Sequence, residues 1–278
     1  MADVKAITAD RAASRHGRPR ERSRHGQGPI LLRSLHSLTG VIPTGLFMLV
    51  ELWTHAKALD GPAAHGDALR QLAAGWVWPV LIGLPMAFHT GYGLWLAFRT
   101  RYTITRYPTS DNWNFTLQRA TGVVAALFIG YHVATFWVPL RLGTSSPDEA
   151  FFVLGGNLSS TVGGVPMTGL GYALGLSACI FHFANGLRSF ADRWGLVRSP
   201  RSRGAVGVAA ALFGVGLFAA ATPVVVYLAT GWRLVGAPVN VDATDPACAA
   251  PEPTASSSGS AAAPPLGSTT PSSSGGSP

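Results

Sequence analysis

Charge is scarce in this 278-residue chain. Only 12% of its residues are Asp, Glu, Lys or Arg, against 47% hydrophobic. The shortage is concentrated in five stretches, roughly residues 35–53, 76–98, 120–140, 162–187 and 205–232. Each is long enough, as a helix, to cross the ~30 Å hydrocarbon core of a bilayer. Five such runs separated by short polar loops exclude a large soluble enzyme with buried helices. The expected fold class is all-α, an integral membrane five-helix bundle. Acidic residues are scarcer still, 13 against 21 Lys and Arg, and Glu51 alone falls inside a span. That argues against a transporter, which is built on broken helices and midplane charges, although Pro43, Pro79, Pro85 and Pro223 are placed where they would kink helices. Cysteine is nearly absent: Cys179 in the fourth span and Cys248 in the tail form no disulfide or metal spacing.

The charges that are present are sorted. Lys5, Arg11, Arg15, Arg18, Arg20, Arg22, Arg24 and Arg33 precede or open the first span. Arg99, Arg101, Arg106 and Arg119 occupy the second-to-third connection, and Arg188, Arg193, Arg198, Arg201 and Arg203 the fourth-to-fifth. Only Lys57, Arg70, Arg141 and Arg233 are left for the other side. Basic loops stay cytoplasmic, so the N-terminus is expected inside and the C-terminus outside. This asymmetry explains the basic leader without nucleic acid. The leader has no apolar core of its own, unlike a cleaved signal peptide. The expected division is a leader over 1–30, a membrane domain over 31–235 and a tail over 236–278. The tail ("SSSGSAAAPPLGSTTPSSSGG") is too poor in apolar residues to offset its ordering entropy and is expected to be disordered.

An internal echo picks out histidines. "FHTGYGLWLAF" in the second span and "FHFANGLRSF" in the fourth each carry Phe-His, then Gly-Leu four and five residues after the His. "SLTGV" and "RATGV" open the first and third spans alike. The chain reads as two related helical hairpins and a fifth helix. At ~1.5 Å rise per residue, His89 lies about 15 Å from Arg99 and His182 about 16 Å from Arg193, so the two share a level. His132 lies about 20 Å from Arg119, at a second level, and its partner must come from the far part of the first span, "LVELWTHAK". Paired histidines facing across a bundle supply the axial ligands of a haem iron, and Gly91, Gly93, Gly130 and Gly186 would let a flat macrocycle approach the backbone. Membrane histidines and glycines also serve plain helix–helix contacts. His16, His25 and His65 lie in polar segments and are expected to be solvated.

Four stretches, "RSLHSLTGVIPTGLF", "FHTGYGLWLAF", "NWNFTLQRATGVVAALFIGYH" and "IFHFANGLRSFADRWG", in this order, resemble the five-helix, di-haem cytochrome b anchor of succinate:quinone oxidoreductases. That group comprises succinate dehydrogenases and fumarate reductases, and the likeness covers about residues 31–232. The resemblance implies two b haems and a quinone substrate, menaquinone in the linked members. It also implies a flavoprotein and an iron–sulfur subunit as partners, and the bacterial cytoplasmic membrane as location. It leaves the oligomeric state of the complex open. His89 and His182 match the proximal axial ligands and His132 one distal ligand. His36, Ser37 and Arg193 match positions that hold haem propionates, a fixed cation suiting a carboxylate there. His36 also fits a local structural role.

Two positions depart from the family pattern. Glu51 stands where the second distal histidine is expected, and His55 follows one helical turn later on the same face. Helical side chains lean toward the N-terminus, so His55 is the expected ligand and Glu51 a candidate for the quinone site. Ile180 and Phe181 precede His182 in place of the carboxylate some fumarate reductases carry, which favours succinate oxidation. Two other readings remain at this point: a di-haem cytochrome b serving another quinone-linked dehydrogenase, and a haem-free membrane scaffold or transporter.

Overall fold

A computed structural model describes residues 27–73, 77–99 and 104–235. The expected tail, and the leader up to residue 26, lie outside the described residues. Among the described residues five helices are long and apolar enough to cross a membrane: Ile30–Asp60, Val80–Arg99, Ser110–Leu142, Met167–Arg193 and Pro200–Thr230, the first to fifth spans. The chain is all-α, and no strand occurs among the described residues. The first span packs on the second, the third on the fourth, and the fourth on the fifth. Their outward faces carry large apolar side chains, among them Leu46, Leu84, Leu127, Leu174, Leu212 and Val215. In water such a surface would drive association; lipid solvates it.

Local chemistry sets the helix ends. Thr109 caps the third span through its side-chain oxygen, which accepts from the Asn112 N–H. Ser199 and Ser202 form a reciprocal capping box at the start of the fifth, with Pro200 following at its first position. The fourth span begins at Met167, later than its apolar run suggests. Gly163 and Gly164 take φ of 60° and 81°, and Val162 bridges Val165 in a tight reversal. Pro166 then opens the helix. Two spans are not uniform α-helix. Gly40–Gly45, containing Pro43, is a π-helical turn in the first, and Val133–Trp137 is one in the third, directly after His132. Such wide turns shift the register of everything beyond them and recur at functional sites. Pro85 and Pro223 lie inside continuous helices.

The polar connections are more structured than expected. Pro62–Ala73 and Ala150–Ser159 are short helices, both at the end opposite the basic loops. Together with residues of the first, third, fourth and fifth spans they build a buried core around Ala58, Leu69, Phe136, Leu154, Leu158, Tyr172, Val224 and Leu228. Arg70 ties the two connections together, pairing with Asp67 at 2.6 Å and Asp148 at 2.5 Å. The bundle is thus closed at this end by a packed cap.

Candidate haem-binding sites

Four spans bring their histidines into two clusters. In the first, nearer the basic loops, His89 and His182 face each other with ring centroids 6.1 Å apart. Each is held the same way. His89 Nδ1 lies 2.9 Å from the backbone carbonyl oxygen of His36, and His182 Nδ1 lies 2.9 Å from that of Gln118. A carbonyl only accepts, so both Nδ1 atoms carry the proton and both Nε2 atoms keep a lone pair.

Glycine makes these contacts possible. A Cβ on Gly40 would come within 2.2 Å of the His89 ring, and one on Gly122 within 2.8 Å of the His182 ring. Each glycine lies four residues after the accepting carbonyl: Gly40 after His36, Gly122 after Gln118. A helical side chain covers the turn preceding it, so an alanine there would shield the carbonyl the imidazole needs. These are the glycines of "SLTGV" and "RATGV", which served the sequence reading only as register markers. Of the glycines singled out from sequence, Gly93 matters to His36, whose ring a Cβ would meet at 2.9 Å. Gly91 and Gly130 meet nothing within 4 Å, and Gly186 only the Gln118 amide at 3.5 Å.

Further polar groups lock the fourth-span histidine. Gln118 Nε2 donates to the His182 carbonyl at 3.0 Å. Asn185 Nδ2 in turn donates to Gln118 Oε1 at 2.8 Å and to the Asn114 carbonyl at 3.2 Å. Gln118 and Asn185 escaped the sequence reading because amide side chains at helix contacts have no spacing signature. His36 stacks flat on His89, centroids 4.2 Å apart and planes 6° from parallel. Ser37 is half-buried on the same turn. Arg193 ends the fourth span, exposed at the basic rim.

The second cluster lies beneath the cap. One ligand-type atom from each of Glu51, His55 and His132 lies within 4.8 Å of the others. His55 Nε2 is 3.5 Å from Glu51 Oε2, a contact too long and poorly aligned to hydrogen-bond either atom. Both Glu51 oxygens and His55 Nε2 are buried without a hydrogen-bond partner. His132 has Nδ1 3.1 Å from the Tyr172 hydroxyl and is sandwiched by Phe136 and Phe128.

A residue expected in solvent completes this cluster. His65 is 0% exposed, with Nε2 3.1 Å from His55 Nδ1. Burial, and then the neighbouring His55, push its pKa down to about 3, which keeps it neutral. The expectation of a solvated His65 fails because the segment is polar only on average, with one face of its helix buried. The periodic signal was present: His65, Leu69 and Leu72 stand at i, i+4 and i+7, one face of a helix, and that face is buried.

Both clusters suit haem iron by the chemistry of their donors. In the first, two neutral imidazoles present unprotonated Nε2 atoms. Their 6.1 Å centroid separation is close to the ~6 Å that two metal–nitrogen bonds of ~2 Å require. In the second, His55 Nε2 is a buried nitrogen with no partner.

Comparison with known proteins places the chain. Residues 97–222 match the family described as succinate dehydrogenase/fumarate reductase transmembrane subunit. The chain is also 34% identical over 182 residues to the succinate dehydrogenase cytochrome b558 subunit of Bacillus subtilis (strain 168), an alignment spanning 64% of this chain and 86% of that protein. No solved structure gives a significant match.

Proposed function

The chain belongs to the family of succinate dehydrogenase/fumarate reductase cytochrome b membrane subunits, and from that premise we propose that it anchors a succinate:quinone oxidoreductase and links its iron–sulfur subunit to membrane quinone through two b haems. When bound, the haems supply one-electron carriers at two depths of the bundle. His89 and His182 hold the iron nearer the basic loops, each through Nε2, with Nδ1 occupied by a backbone carbonyl. His132 and His55 hold the second, beneath the cap. His36, Ser37 and Arg193 receive the propionates at the basic rim. Glu51, a carboxylate beside the second pair, exchanges protons with menaquinone at that end.

The orientation follows from the basic loops: N-terminus on the cytoplasmic side of a bacterial inner membrane, where the flavoprotein and iron–sulfur subunits dock, and C-terminus outside. The observation that carries the reading is the matched pair of Nδ1–H to carbonyl hydrogen bonds. Each fixes the tautomer and orientation of a half-buried imidazole and raises the basicity of its free nitrogen, the outer-shell arrangement of metal-ligating histidines. Histidines serving only helix contacts would not need two rings 6.1 Å apart, each with its Nδ1 tied to a backbone carbonyl.

Purification of the complex from membranes tests the proposal. It predicts co-purification with a flavoprotein and an iron–sulfur protein, and b-type absorption bands that succinate reduces. A preparation lacking those bands would contradict the electron-transfer role. Bands reduced by another donor, with a different dehydrogenase attached, would contradict the succinate assignment alone.

A further inference from the structure

We propose that His65, supplied by the helix of the first cap segment, is the positioning residue of the second haem site, holding His55 so that Nε2 and not Nδ1 faces Glu51 and His132. The inference rests on the reading of His55 as an iron ligand. Its foundation is the pairing of two rings from one continuous chain segment. His55 ends the helix Leu46–Ala56, and the chain then passes through a tight turn, Lys57–Asp60. Gly61 reverses it at φ 110°, a backbone state open to glycine, and Pro62 starts the next helix with its φ already set. The Gly61 carbonyl accepts from the His65 N–H at 3.1 Å. The reversal delivers the His65 ring back onto His55, Nε2 to Nδ1 at 3.1 Å.

The delivering helix is firmly seated. Leu69 is 0% exposed in the cap core. A Cβ on Gly66 would come within 3.1 Å of the Pro147 carbonyl oxygen, so the helix lies close against the other cap segment. Arg70 bridges to Asp148 on that segment. His65 is therefore a fixed reference point and His55 the ring that it orients.

The hydrogen-bond inventory makes the orientation one-sided. His55 has two ring nitrogens, and His65 occupies Nδ1. Only Nε2 remains to face the cluster, where it is buried and unpartnered. With a metal on Nε2, the neutral imidazole carries its proton on Nδ1 and donates it to His65 Nε2. His65 then fills the outer-shell acceptor role that the His36 and Gln118 carbonyls fill for His89 and His182. A side chain fills that role here: His55 sits in the last turn of its helix, and its Nδ1 meets the His65 ring.

The test uses the complete complex purified from membranes, with His65→Leu, His65→Gln and His55→Ala compared by haem content, redox titration and low-temperature electron paramagnetic resonance. His65→Leu is expected to retain both haems. It should raise the midpoint of one by a tenfold bias toward reduced iron, about 59 mV for one electron, because an imidazole that loses its acceptor donates less strongly. The resonance of that haem should shift and the other stay fixed. His65→Gln, which keeps an acceptor oxygen, should restore most of the midpoint. His55→Ala should remove the same haem. If His55→Ala removes a haem while His65→Leu leaves every midpoint and resonance unchanged, the positioning role is wrong and the ligand reading stands. If His65→Leu removes a haem that His55→Ala retains, His65 is itself the ligand and the proposal is overturned. If His55→Ala retains both haems with unaltered spectra, the ligand reading falls and the proposal with it.

Discussion

His182 and Gln118 are joined twice, in opposite senses. The imidazole Nδ1–H donates to the Gln118 carbonyl at 2.9 Å, and the Gln118 side-chain amide donates to the His182 carbonyl at 3.0 Å. One pair of residues thereby sets the register of the third and fourth spans and the orientation of a ring between them. Position and chemistry come from the same contact.

Gln118→Leu removes half of this lock and strips Asn185 of an acceptor, while the backbone carbonyl that orients His182 remains. Loss of two hydrogen bonds, Gln118 to the His182 carbonyl and Asn185 to Gln118, should lower stability by about 1–3 kcal/mol with haem content preserved. Thermal release of haem from the detergent-solubilised complex measures it.

Gly40→Ala and Gly122→Ala place a methyl group 2.2 Å and 2.8 Å from the His89 and His182 rings respectively, closer than packed atoms approach. Each substitution should displace one imidazole and remove the haem nearer the basic loops, leaving the other in place. Gly91→Ala, where nothing lies within 4 Å, should leave both. Difference spectra of the three variants compare them directly.

The cap and the lipid face should answer mutation differently. Leu158 is 1% exposed inside the cap core, and Leu158→Ala should destabilise by about 2–5 kcal/mol, as large-to-small changes in packed cores do. Leu212 is 67% exposed on the fifth span, and its replacement by Ala should fall within about 0.5 kcal/mol of no effect. Denaturation of the complex in one detergent separates the two.

Glu51 and His55 are one turn apart, with both Glu51 oxygens and the His55 Nε2 unpartnered, yet they should part company on substitution. Glu51→Ala should keep both haems and slow quinone turnover; His55→Ala should remove the haem beneath the cap. Haem loss in the Glu51 variant with a silent His55 variant would reverse the two roles.

The spans were legible because lipid imposes one rule, about 20 apolar residues without charge, that needs no tertiary information. The approach of His89 to His182 was legible because the chain repeats itself, "FHTGYGL" against "FHFANGL". The cap was not. "PAAHGDALRQL" is polar on average, and only its 3.6-residue periodicity separates the buried His65 and Leu69 from the exposed Asp67 and Arg70. Gly40 and Gly122 were visible in the echo, but their use depends on which ring arrives from another helix, and no local pattern encodes that. The fourth span started late because Gly163 and Gly164 adopt positive φ, a backbone choice that hydropathy ignores.

The account stands most directly on the haem content of the purified complex, measured as haem b per flavin and resolved by redox titration. It predicts two b haems of different midpoint for each flavoprotein subunit. A single haem per flavin would contradict the second site formed by His55 and His132, and none would contradict the assignment of both histidine clusters.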